Sequence, residues 1–292
     1  VSRTLGIAGI GLIGGSIALR AHAAGWTTIG YDRDPATLDA ARAAGALDEV
    51  APDLASLAGR VDALVLALPI AATVAALREV PELARPALLF DVASVKLPVA
   101  AAGAHLANFV ASHPLAGREV GGFAAADAEL FAGHTWVVDP SAAAGPRATL
   151  AGLVAALGAR VVAVGPADHD RLVALTSHLP QALAVALGAR LAAAAVSDPY
   201  VYDLCGPGMS SMLRLARSPA GLWSAIFAAN AAPVAAELRS LAGALEAAAA
   251  SLEQGEVGTV LSYFADAGSA VAALDGAEAP PDRSPPLAVP TR

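Results

Sequence analysis

The 292-residue chain has one cysteine, Cys205. A single thiol excludes an internal disulfide framework and a thiolate-built zinc site. Aromatic residues make up 4% and there are two methionines, so the 56% hydrophobic content rests mostly on alanine. No apolar run reaches the ~18–20 residues that span a bilayer. The longest, Ala63 to Leu77, is broken by Pro69, so no membrane association is expected. The N-terminal residues have no basic stretch leading into an apolar one, so no secretory signal is expected; the expected compartment is the cytoplasm. There are 18 basic residues against 26 acidic ones, a net charge of −8, and no basic run. Nucleic-acid binding is therefore not expected, and an acidic ligand would need a local basic pocket. Scarcest of all is lysine. Of the 18 basic residues only Lys96 is one. An ammonium is a compact point charge and a guanidinium a planar fork, so a site can require the first and refuse the second.

What is present begins with glycine. Gly9-Ile10-Gly11-Leu12-Ile13-Gly14-Gly15-Ser16 follows a β-type run, Thr4 to Ala8, and opens a helical stretch, Ile17 to Ala24. Gly9 allows a tight strand-to-helix turn, Gly11 lets a pyrophosphate approach the backbone, and Gly14 lets the helix pack on the strand. The N–H groups of Leu12 and Ile13 would face the anion at the helix N-terminus. A second run, Thr27 to Tyr31, ends in Asp32, where an acidic residue binds adenosine ribose hydroxyls. Asp32 would repel a 2′-phosphate, so NAD is expected over NADP. The adjacent Arg33 softens that preference.

Strand and helix signals alternate to about residue 165. Strand-like runs are Ala63–Leu68, Ala87–Val92, Asn108–Ser112, Thr135–Val138 and Arg160–Val164, with helical stretches such as Pro35–Ala44 and Pro146–Leu157 between them. This pattern predicts an α/β fold, a doubly wound Rossmann-type domain over residues 1–165. Such sheets bind ligands beyond the carboxyl ends of their strands. Asp32, Pro69, Ser94 and His113 each fall just past a predicted strand end. Strand signals then stop. Asp168–Ala195 and Pro219–Leu252 read as helices apolar around most of their circumference, which predicts burial against another helix or a second subunit. Residues 166–276 are expected to form an all-helical domain that dimerises. Residues 277–292, rich in proline, read as a disordered tail.

Among six histidines, His22 and His105 fall on predicted helix surfaces and His134 in a structural position. His113 differs. It lies in Ser112-His-Pro-Leu-Ala-Gly-Arg-Glu119, at the edge where a nicotinamide would sit. Neutral imidazole there could take a proton from a hydroxyl as hydride leaves the same carbon. Otherwise it is a loop histidine that caps local backbone.

Gly11-Leu-Ile-Gly-Gly-Ser16, Asp91-Val-Ala-Ser-Val-Lys96, Ser112-His-Pro-Leu-Ala-Gly117 with Glu119, and Ser177-His-Leu-Pro180 resemble the motifs of prephenate/arogenate (cyclohexadienyl) dehydrogenases of tyrosine biosynthesis. Gly206-Pro-Gly-Met-Ser-Ser-Met-Leu-Arg214, Ser218-Pro219 and Trp223 fit the same family. The glycine motif is common; the later motifs together are specific. The resemblance runs in order from about residue 5 to 265.

The resemblance implies oxidative decarboxylation of prephenate with NAD as hydride acceptor, or of arogenate. It implies that His113 is the base, that Ser94 holds the same hydroxyl, and that Arg214 binds a substrate carboxylate, which a guanidinium can do bidentately. Glu119 and Trp223 would line the pocket, and His178 match the first histidine of a His-Leu-Pro-His segment. Gln181 stands where the family often has a second histidine, and Ser211 where some members have an acidic residue, so substrate choice stays open. Lys96 is either a helix-start charge or an organiser of the Ser94 loop beside the cofactor. His169-Asp170 either support the site from behind or form the polar start of a helix. A β-hydroxyacid dehydrogenase or imine reductase shares the plan but usually carries a lysine on its helical domain, and this helical domain has none. A silent NAD-binding protein would not need Ser94, His113 and Arg214 together.

Overall fold

The computed structural model of the chain describes residues 3–118 and 120–275. Glu119 and the predicted tail, 277–292, lie outside them. The chain divides into two compact units, Val1–Ala231 and Ala232–Arg292.

The first unit is built on a six-stranded parallel sheet. In chain order its strands are β1 (Thr4–Ala8), β2 (Thr27–Tyr31), β3 (Glu49–Val50), β4 (Ala63–Leu66), β5 (Leu88–Asp91) and β6 (Phe109–Val110). The spatial order is β3-β2-β1-β4-β5-β6, with the reversal between β1 and β4 where doubly wound sheets bind ligands. The pleat sends alternate side chains to opposite faces. Leu5, Ile7, Val65 and Phe90 enter one apolar cluster with α1 (Leu12–Ala23) and α6 (Ala144–Ala156). Leu64, Leu66 and Leu89 enter the other with α4 (Ile70–Glu79) and α5 (Leu97–Gly103). Parallel strands buried on both faces read as continuous apolar runs, which is why the sequence announces them.

Two features differ from the sequence reading. Asn108–Ser112 is not one strand. It divides into β6 and β7 (Ser112–Pro114), and β7 joins β8 (Thr135–Val138) and β9 (Arg160–Ala163) in a separate three-stranded sheet. β7 runs antiparallel to β8, with His113 opposite Val137. His113 therefore sits within a strand, not past its end. The predicted helix Asp168–Ala195 also divides, into α7 (Pro166–Val173), one π-helical turn (Ala174–His178) and α8 (Leu179–Ala195). Pro180 lacks an N–H for the carbonyl four residues back, and a widened turn absorbs the missing bond. By length and composition, this continuous run, Pro166–Ala195, is apolar enough to cross a membrane, and longer than the apolar runs read from the sequence. It is also the run that buries His169, Asp170, His178 and Gln181.

The first unit continues through α9 (Pro207–Met212), a 3₁₀ turn at Leu215–Arg217, and α10 (Ala220–Ala229). The second holds most of α11 (Ala231–Glu253) and α12 (Gly258–Asp275). Alanine and leucine favour helix at nearly every position of these two. They expose Leu245, Leu252, Leu261, Phe264 and Leu274.

Candidate functional site

The glycine turn has the form that a dinucleotide requires. Gly9 has φ +92°, and a Cβ there would lie 2.3 Å from the Ala67 carbonyl oxygen; a Cβ on Gly14 would lie 1.9 Å from that of Gly9. Any side chain at either position would force strand and helix apart. Gly11 faces open space, with nothing within 4 Å of a Cβ. α2 (Pro35–Ala43) and α3 (Leu54–Ala58) begin with Asp34 and Asp53 carboxylates accepting backbone N–H groups. α1 begins at Gly11 with no side-chain cap and no acidic residue in its first turn. Its N-terminal N–H groups and partial positive charge remain available to an anion. Asp32 stands beside them. Its carboxylate accepts the Ile10 N–H at 2.7 Å and the Asp34 N–H at 3.0 Å. A carboxylate has about four acceptor positions, so ribose hydroxyls can still be received. Arg33 is exposed, Leu12 and Ile13 are half-buried, and Pro69 caps the start of α4.

A second group of residues meets around His113. Lys96 is 2% exposed and Asp91 fully buried. The Lys96 ammonium pairs with Asp91 Oδ2 and donates to the Ser112 carbonyl at 2.6 Å. Asp91 Oδ1 accepts the Ser112 N–H at 3.0 Å, and Asp91 Oδ2 that of Ala93 at 2.9 Å. Ser112 Oγ donates to the Asp91 carbonyl and accepts from Trp136 Nε1. Lys96 thus faces inward and fixes the backbone on either side of the loop; a reach toward a bound cofactor is not what its side chain does. Asp170, on α7, accepts the backbone N–H groups of Lys96 at 2.7 Å and Leu97 at 2.8 Å, capping α5 from another element. The His169 ring lies between: its Nδ1 stands 2.8 Å from Asp170 Oδ1, and its Nε2 2.9 Å from His113 Nδ1. Of the two readings of His169-Asp170, the geometry gives support from behind. Burial, then the charge of Lys96, holds the His113 pKa well below the usual histidine value.

His178 is buried at the end of the π turn. Asn230, at the end of α10, donates from Nδ2 to the Asp170 carbonyl at 2.7 Å and lies 3.1 Å from His178 Nδ1. Burial pushes the His178 pKa down to about 4, against the raising effect of Asp170. Trp223 meets His178 edge to face, with ring centroids 5.9 Å apart. Gln181 does not present its amide outward. Its Nε2 donates to the Leu215 carbonyl at 2.9 Å, next to Arg214, while its Oε1 is buried and has no partner within the described residues. Arg214 begins the 3₁₀ turn, and with Ser210, Ser211 and Arg217 it lines an open concavity of about 400 Å³. Two arginines and two serines make its lining basic. Ser94 is half-buried and makes no hydrogen bond within the described residues. Asn230 was not singled out from sequence. Its signal is a lone polar residue between two apolar helices.

A doubly wound sheet with an open glycine turn, together with a half-buried histidine held against a buried one, is the plan of a dinucleotide-dependent oxidoreductase. The comparisons with known proteins narrow this further. The prephenate dehydrogenase nucleotide-binding domain matches residues 16–163, and the prephenate dehydrogenase dimerization domain residues 165–266. The chain belongs to the prephenate dehydrogenase family. It is 32% identical to the cyclohexadienyl dehydrogenase of Zymomonas mobilis over 79% of this chain and 82% of that protein. It is 35% identical to the probable prephenate dehydrogenase NovF of Streptomyces niveus over 82% of this chain, and spans 66% of NovF. The crystal structure of Synechocystis arogenate dehydrogenase superposes with a TM-score of 0.77 at 25% identity, covering 92% of this chain and 99% of that one.

Proposed function

We propose that the chain is an NAD⁺-dependent prephenate dehydrogenase, converting prephenate to 4-hydroxyphenylpyruvate in tyrosine biosynthesis, and that it also takes arogenate. The reading is carried by His113, whose ring is held by His169 and kept neutral by burial and by the Lys96 charge. A neutral imidazole can accept the ring hydroxyl proton while hydride leaves the same carbon. NAD⁺, when bound at Gly9, Gly11, Gly14 and Asp32, supplies the hydride acceptor. The dienone then loses its ring carboxylate as CO₂; that electron pair makes the ring aromatic, and the oxygen regains a proton. Ser94, with no partner among the described residues, is assigned to the same hydroxyl. Arg214 is assigned to a substrate carboxylate, and His178 and Trp223 to the wall beside it. Glu119 stays assigned to the pocket by its motif alone. Arogenate is included because Gln181 is neutral and would tolerate its ammonium.

We assign residues 1–165 to cofactor binding and 166–276 to substrate binding and homodimerisation; the matches over residues 16–163 and 165–266 support that assignment. Exposed Phe264, Leu261 and Leu274 support a dimer. Sedimentation should give about twice the 28.8 kDa chain mass. The test of activity is NADH formation from prephenate and from arogenate, followed by absorbance. Wild type should produce it, and His113→Asn should lower kcat by about 10²- to 10⁴-fold with cofactor binding intact. No NADH from either substrate overturns the reading.

A further inference from the structure

We propose that His169 is a positioning residue that fixes the tautomer of His113, leaving His113 Nε2 as the bare atom that takes the proton. The inference rests on the reading of His113 as the base. It follows from counting donors along one chain of contacts. Asp170 already accepts two backbone N–H groups, from Lys96 and Leu97. With both of its oxygens turned to N–H groups, this carboxylate serves as the acceptor in its contacts. The His169 nitrogen 2.8 Å from it, Nδ1, must therefore carry a hydrogen. In neutral His169 the other nitrogen, Nε2, is then an acceptor. His113 Nδ1, 2.9 Å from it, must be the donor. That leaves His113 Nε2 unprotonated. Free histidine in water favours the opposite tautomer, with its hydrogen on Nε2, which could not act as a base there. The same logic governs any histidine whose second nitrogen is held by an oriented partner.

The arrangement also serves the step after proton transfer. The substrate O–H bond breaks, and its proton forms a new bond to His113 Nε2. The resulting imidazolium keeps its Nδ1–H on His169 Nε2, and one ring further stands the Asp170 carboxylate. Of the groups facing His113, Lys96 carries a positive charge and disfavours an imidazolium. Among the described residues, Asp170 is the carboxylate that His169 meets on the side away from His113. His169, 2% exposed, is sealed from water and so cannot be replaced in this role by solvent.

Two substitutions separate positioning from packing. In His169→Asn the amide nitrogen occupies the place of Nδ1; it can still donate to Asp170 but cannot reach His113. In His169→Gln the terminal carbonyl occupies the place of Nε2; it can accept from His113 Nδ1 but leaves Asp170. The experiment is ¹⁵N NMR of the full chain with labelled histidine, near pH 8 and without substrate, with the His113 signals identified by their loss in His113→Asn. Wild type and His169→Gln should show hydrogen on Nδ1 of His113, and His169→Asn should move it to Nε2. In parallel, His169→Asn should lower kcat about 10- to 10³-fold, below the full worth of a general base, with KM for prephenate and NAD⁺ affinity nearly unchanged. His169→Gln should recover most of that loss. Hydrogen on Nε2 in the wild type overturns the proposal, as do equal losses in both variants with an unmoved tautomer. The NMR result does not depend on the substrate. An enzyme inactive on prephenate and arogenate but with the predicted tautomers refutes the proposed function and leaves this inference standing.

Discussion

Lys96 gives the most demanding prediction. Replacing it with methionine keeps most of the stem and removes the ammonium. Asp91 would then be a buried carboxylate holding only the N–H groups of Ala93 and Ser112. Breaking a buried pair from one side typically costs about 3–5 kcal/mol. For a domain of this size about 1 kcal/mol moves Tm by 2–4 °C, so the expected fall is roughly 6–20 °C. The same change acts on His113. Burial is the first cause of its lowered pKa and the Lys96 charge the second. Lys96→Met should therefore raise that pKa toward the ordinary value and shift the acid limb of kcat/KM to higher pH. Lys96→Arg should not restore the protein. One ammonium serves the Asp91 carboxylate and the Ser112 carbonyl in a sealed space, and a larger planar fork there costs about 1–3 kcal/mol in overpacking. Thermal unfolding and a pH profile of kcat/KM read both effects. A Lys96→Met protein that melts with the wild type and keeps its acid limb refutes the reasoning.

His113 and His178 both have pKa values lowered in the folded state, first by burial, His178 to about 4. Below the ordinary value of about 6.5 the unfolded chain binds more protons, so stability should fall as pH drops through 6.5 and keep falling toward 4; a urea midpoint flat across that window contradicts this. Asp32→Ser should narrow the kcat/KM preference for NAD⁺ over NADP⁺, because it removes the ribose acceptor and the charge that repels a 2′-phosphate; an unchanged ratio rejects the assignment. Arg214 is exposed on an open concavity, so Arg214→Ala should raise KM about 10- to 150-fold, the scale of about 1.5–3 kcal/mol for a hydrogen bond to a charged group, with NAD⁺ affinity constant. Gln181→His should shift the prephenate-to-arogenate ratio of kcat/KM toward prephenate; its amide holds the Leu215 carbonyl, so the shift includes a displacement of Arg214, and an unmoved ratio removes Gln181 from substrate choice.

The parallel strands were legible because burial on both faces writes them as apolar runs; Ala63–Leu66 and Leu88–Asp91 differ from expectation only at their ends. β3 was not legible, since two residues, Glu49 and Val50, carry no period. The break between β6 and β7 was hidden for a different reason. Asn108 to Ser112 is uniformly strand-like, and only the pairing of His113 with Val137 shows that the chain has changed sheets. The cofactor turn was readable residue by residue, because each glycine answers a local steric demand. The second half of the site was not. His169 and His113 are 56 positions apart, Gln181 and Leu215 are 34 apart, and Asn230 and Asp170 are 60 apart. Such contacts depend on which faces the helices turn toward one another, and an alanine-rich segment leaves that undetermined. Lys96 was conspicuous by its scarcity, but nothing in the sequence shows that it points inward.

Asp170 joins two stretches that matched families treat as separate pieces, meeting at residues 163 and 165. From the later piece it caps α5 of the earlier one and seats the ring behind His113. The halves are therefore not interchangeable parts. A chimera spliced near residue 165 would inherit a working enzyme only if the Asp170 carboxylate of one parent met the Lys96–Leu97 backbone of the other at the same spacing. A mismatch would unseat helix and base in a single event, so drift in either half is answerable to the other.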